Sequence, residues 1–176
     1  MRFKDVLDKG ITFDSPHPPL TPQDIAKLET LIQDPLPDQY RDFLLHSNGG
    51  KINCHMTPKD IDGYATLIHW PKDNGMFPDE EYAIAQYLHN MQDIIDYYQS
   101  WKHSLPEHTL VIGTDPGTTF YLIGFGPENK GKIYAWYIVG TNRMEDPDTA
   151  GYAYTGFIAD SFVEFLTSLQ SPELVI

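Results

Sequence analysis

One cysteine in 176 residues leaves Cys54 without an intrachain partner, which excludes a disulfide framework, a thiolate metal cluster and a CxxC redox pair. Basic residues are scarce too: 12 Lys and Arg stand against 25 Asp and Glu, for a formal net charge of -13. That field repels phosphate backbones and anionic lipid, so nucleic acid and membrane surfaces are poor partners and basic proteins are good ones. The same charge keeps a protein soluble, so it supports a partner only beside other features. No apolar run approaches the ~20 residues of a membrane span, and the richest segments, Phe120 to Phe125 and Ile133 to Val139, read as strands. The opening MRFKDVLDKGITFD has no uninterrupted apolar stretch for a signal-peptide core, so a reducing cytoplasm is the expected location.

Assembled catalytic chemistry is missing as well. Gly126-Pro127-Glu128-Asn129-Lys130-Gly131-Lys132 has the glycine and lysine spacing of a phosphate loop, but Ile133 follows where Ser or Thr is needed. It also lies between two strands instead of leading into a helix N-terminus, so it reads as a hairpin turn. There is no GxSxG elbow, and Cys54-His55 lacks the context of a nucleophile motif; a small half-buried thiol is the plainer reading. The seven histidines, at 17, 46, 55, 69, 89, 103 and 108, show no paired ligand spacing. Glu145, Asp146 and Asp148 lack the alternating oxygen ligands and glycine of a calcium loop. No catalytic residue, metal or cofactor is expected.

What is present is the grammar of one α+β domain across residues 1–176. The first twenty residues end in Asp14-Ser15-Pro16-His17-Pro18-Pro19 and read as an extended N-terminal arm. Thr21, Pro22 and Asp24 form a helix start, with Ile25, Leu28 and Ile32 on one face, and the helix stops before Asp34-Pro35. A second helix begins near Pro37, carries Tyr40, Phe43 and Leu44, and ends at Asn48-Gly49-Gly50, which suits left-handed capping. Short strands follow to Pro71. Ile84, Leu88, Met91 and Ile95 then predict one long helix from about Asp79 to Trp101, with Asp79, Glu80 and Glu81 at the positive end of its dipole. Leu110 to Ile112, Thr118 to Phe125 and Lys132 to Val139 predict an antiparallel meander. Asp160 or Ser161 opens a last helix with Phe162, Phe165, Leu166 and Leu169 facing inward. The faces of Tyr40 and Phe43 and of Phe162 and Phe165 should pack on the central sheet that carries Tyr121 and Trp136.

Three stretches together resemble the SUKH superfamily, which contains fungal cell-wall and glucan-synthesis regulators and many bacterial immunity proteins. The first is Leu36-Pro37-Asp38-Gln39-Tyr40-Arg41-Asp42-Phe43-Leu44 running into Asn48-Gly49-Gly50. The second runs from Ile112-Gly113-Thr114-Asp115-Pro116-Gly117 through Tyr121-Leu122-Ile123 to Gly131 and Trp136, and the third is Ala159 through Ser161, Phe162, Phe165 and Leu166. The resemblance implies a non-catalytic α+β domain that binds another protein, either an immunity protein covering a basic toxin domain such as a nuclease or a cytoplasmic regulatory scaffold. A small hydrolase is the distant third reading. Asp115, Glu145, Asp146 and Asp148 are the candidate partner contacts; against this, Asp115 can brace its own turn and the 145–148 loop can be merely solvated. Tyr64, Trp70, Tyr121, Tyr134 and Trp136 are either interface anchors or core aromatics.

Overall fold

The computed structural model describes residues 1–54, 62–72, 77–137 and 154–175. Its first twenty residues are not an arm. Phe3–Asp8 forms helix α1 and Ile11–Asp14 forms strand β1, which pairs with strand β2, Gly50–Cys54, from Ile11↔Cys54 to Asp14↔Lys51. The prolines act only after this unit, between Ser15 and Leu20. The helix is too short to stand alone. It is held by Phe3, whose ring packs 6.1 Å from Phe13 and 5.8 Å from Phe43.

Local capping chemistry places the next two helices. Thr21 Oγ1 accepts the Asp24 amide at 3.2 Å while the Asp24 carboxylate accepts the Thr21 amide at 3.0 Å, and this reciprocal box starts α2, Pro22–Ile32. Helix α3, Asp38–His46, follows Pro37 and buries Tyr40, Phe43 and Leu44 completely. It ends on an extended Ser47, and the left-handed Gly49 comes two residues later than a helix cap would. Both glycines there serve close backbone approach. A Cβ on Gly49 would lie 2.6 Å from the Leu88 carbonyl oxygen, and one on Gly50 would lie 2.7 Å from the Asp14 carbonyl.

The helix expected over Asp79 to Trp101 is three elements. Strand β3, Tyr64–His69, pairs with β4, Glu80–Ala85, in register from Tyr64↔Ala85 to His69↔Glu80. Next come β5, Tyr87–Leu88, and helix α4, Met91–Trp101, whose start is fixed by Asn90 accepting the Asp93 amide at 3.1 Å. The apolar spacing of three and four is real but bridges two strands and a helix. Glu80 and Glu81 therefore stand on an edge strand, with Asp79 just before it, where charge discourages pairing with another chain, and not at a helix dipole.

Strands β6, Thr109–Thr114, β7, Thr119–Gly124, and β8, Ile133–Tyr137, form the anticipated meander, and β9, Thr155–Ala159, adds a strand beside β8. Helix α5, Phe162–Ser168, starts on Ser161, whose Oγ accepts the Glu164 amide at 3.1 Å. The described strands make one sheet in the order β1-β2-β5-β6-β7-β8-β9-β3-β4. The β3–β4 hairpin thus leaves the chain between two strands that pair with each other, β2 and β5, and joins the opposite edge of the sheet. Among the described residues, no helix is long and apolar enough to cross a membrane.

The main core lies between one face of this sheet and α1, α2, α3 and α5. Tyr121, Ile123 and Ile133 from the strands meet Tyr40, Phe43, Phe162 and Phe165 from the helices. Because Phe120 pairs with Trp136 and Tyr121 with Ala135, Tyr121 and Trp136 occupy opposite faces. Only Tyr121 faces the α3 and α5 aromatics. Trp136 packs instead in a second cluster with Val111, Leu122 and Leu105, bordered by Tyr97 and Trp101 of α4.

Candidate partner-binding surface

Most residues that signal the fold in sequence are structural in the folded chain. Leu36, Tyr40, Phe43, Leu44, Phe162, Phe165 and Leu166 are fully buried, and Pro37 is the N-cap of α3. The Asn48 side chain accepts the Met91 amide at 2.8 Å, which ties the exit of α3 to the start of α4. Gly113 lets β6 approach the Tyr87 carbonyl of β5, and Gly131 takes a positive φ in the β7–β8 turn. That turn is the hairpin expected in place of a phosphate loop. Its buried Asn129 accepts the Gly126 amide at 2.9 Å and donates to the Glu107 and His108 carbonyls at 3.3 Å, so one side chain joins two loops.

Asp115 braces its own turn. Its Oδ1 accepts the Gly117 amide at 2.8 Å and the Thr119 amide at 2.9 Å, which fixes the β6–β7 connection and sets the register Thr114↔Phe120. Its negative charge adds to burial in pushing the Tyr121 hydroxyl upward, burial being the larger cause. Glu145, Asp146 and Asp148 lie outside the described residues. The aromatic candidates divide: Tyr64, Trp70, Tyr121 and Trp136 are buried, and Tyr134 is half-buried.

Cys54 is half-buried, and burial pushes its thiol up to about 11 against the opposing pull of the Tyr64 hydroxyl. A raised thiol is a poor nucleophile near neutrality. Among the described residues no group of His, Cys, Asp and Glu is arranged to hold a metal. His89 packs 4.9 Å from the Tyr97 ring, and burial lowers its affinity for a proton despite Asp93 nearby.

The surface that sequence reading missed is the outer face of β9, β3 and β4. Cross-strand pairing places Phe157 beside His69, His69 beside Glu80, and Leu67 beside Tyr82. Tyr82 is 38% exposed, Leu67 and Phe157 are half-buried, and His69 Nδ1 lies 3.2 Å from the Glu80 carboxylate at the solvent boundary. Asp79, Glu80 and Glu81 are all exposed, and Glu81 also accepts from the Trp70 indole at 3.1 Å. The indole is held in turn by Phe77, stacked at 4.1 Å and 14°. Glu80 and Tyr82 thus stand on a strand whose opposite face is held by the Trp70–Phe77 pair through Glu81. The signal in sequence was the run Asp79-Glu80-Glu81-Tyr82 itself, but its assignment to a helix concealed the alternation of faces.

No curated protein matches this chain. The model of the SMI1 / KNR4 family (SUKH-1) matches residues 19–168, which takes in α2 through α5 and all three of the sequence stretches described above, and the chain belongs to that family.

Proposed function

We propose that this protein is a non-catalytic binding domain that neutralises a toxin by covering it, with a basic toxin domain as its partner. Family membership over residues 19–168 is the observation that carries this reading, because it joins the chain to a group read as protein-binding. The net charge of -13 supports a basic partner, since complementary fields speed association and an acidic face can stand in for phosphate. Asp115 and the acids at 145, 146 and 148 are the steering charges in this reading. The same family match favours a second reading, a cytoplasmic regulatory scaffold of the cell-wall assembly type.

The two readings part at the gene's neighbour. An immunity protein is encoded beside its toxin, and its expression restores growth to a host making that toxin. Growth that stays arrested with the protein present and folded, or a gene standing among cell-wall functions with no toxin beside it, would sink the neutralisation reading in favour of the scaffold.

A further inference from the structure

We infer that the outer face of β9, β3 and β4, which carries Glu80 and Tyr82, is the docking surface, and that its occupant is a basic protein presenting arginine side chains. This rests on the protein-binding reading above and adds to it the place and the chemistry of contact. The face is left partly open by the fold itself. Tyr97 and Trp101 of α4 cover the same side of the sheet only as far as Phe120 and Trp136 on β7 and β8. Beyond them Leu67, Phe157 and Tyr82 stay partly open to solvent, and β4 has a single strand neighbour among the described residues.

Charge decides between occupants. Strands β8, β9, β3 and β4 carry no lysine or arginine, while the Glu80 carboxylate stands on this face at the start of β4 and Glu81 on the opposite one. A second copy of this chain would bring the same carboxylate against Glu80, and like charges facing each other are destabilising. A basic partner meets no repulsion on this face. Arginine fits better than lysine because its guanidinium pairs with a carboxylate while its plane stacks on an aromatic ring. Glu80 and Tyr82 lie two residues apart on one strand, so they share a face and offer the two halves of that contact. The base beneath is rigid, since the Trp70 indole holds Glu81 and the Trp70 amide donates to the Asp79 carbonyl at 2.9 Å.

The test uses the full isotope-labelled chain titrated with octa-arginine at low salt, with octa-lysine as the comparison. Saturable amide shifts should concentrate in 67–69, 79–84 and around Phe157, with the arginine peptide binding more tightly. Tyr82→Ala should weaken binding about two- to fivefold, the size of an exposed cation–π contact, and Tyr82→Phe should restore it. Glu80→Gln should weaken it too and flatten its salt dependence. Shifts spread over the whole acidic surface, shifts centred elsewhere, or equal binding by Tyr82→Ala would overturn this surface while leaving the family-based reading of a protein binder standing. Shifts on this face that grow with protein concentration in the absence of peptide would overturn the basic partner in favour of a second copy.

Discussion

Gln39 Oε1 accepts a hydrogen bond from the Val163 amide at 3.0 Å, across 124 residues of chain. Val163 lies in the first turn of α5, where backbone N–H groups have no intrahelical acceptor, so α3 completes the start of α5. The same side chain donates to the Met1 carbonyl at 2.8 Å and so draws the N-terminus into the joint. Gln39→Ala should cost about 1–3 kcal/mol by leaving a donor unsatisfied. Gln39→Glu keeps the acceptor and should cost less. Urea midpoints of the two variants check the order.

Phe43 and Phe165 are fully buried and sit in one aromatic set, with Phe43 5.2 Å from Phe162 and Phe165 5.8 Å from Tyr121. Truncating either to Ala should destabilise by about 3–5 kcal/mol through lost transfer energy and the cavity left behind. Because both contact Phe162 through the same cluster, the double variant should lose less than the sum. Denaturation curves of the two single variants and the double variant provide the measurement.

Asp115→Ala removes the acceptor of two backbone amides and should destabilise by about 1–3 kcal/mol. Asp115→Asn retains an oxygen at the same position and should recover much of that loss despite the missing charge. A larger effect of Asp115→Asn on partner association than on the unfolding midpoint would assign the residue a contact role in addition to its turn.

Arg41 Nη2 lies 2.6 Å from Glu29 Oε1, which also accepts the Leu36 amide at 2.9 Å. Burial raises the Glu29 pKa, but the Arg41 hydrogen bond and the Leu36 amide outweigh it, and the net shift is downward from 4.5. A carboxylate lowered in the folded state adds stability that is fully present above its unfolded pKa and is lost as pH falls through the folded value. Glu29→Gln should therefore be less stable than the native chain at neutral pH, with the gap closing in acid below 4.5. Urea midpoints across that range read it directly.

The helices and the meander were legible because their signals are local: Thr21 with Asp24, Ser161 with Glu164, and turn residues between β-rich runs. The N-terminal unit was not, because α1 has six residues and β1 four, too few to display a period. Ile11 and Phe13 do alternate inward, but that is a single repeat, and the prolines after it dominated the reading. From β4 to α4 the chain carries a genuine helical spacing across three elements, and only tertiary pairing of β4 with β3 and of β5 with β6 separates them. The outer face was invisible for a related reason. Leu67, Tyr82 and Phe157 come from strands whose adjacency depends on sheet order, which no local pattern encodes.

The excursion of the β3–β4 hairpin to the far edge of the sheet makes the completed sheet depend on long-range loop closure. The meander and the hairpin itself close short loops, whereas docking the hairpin on β9 joins segments separated by β5, α4 and the meander. The face that brings Tyr82 and Phe157 together therefore exists only once that long closure is made. A chain still on its way to the native state lacks that face, so recognition through it would certify completed folding before the protein is committed to a partner.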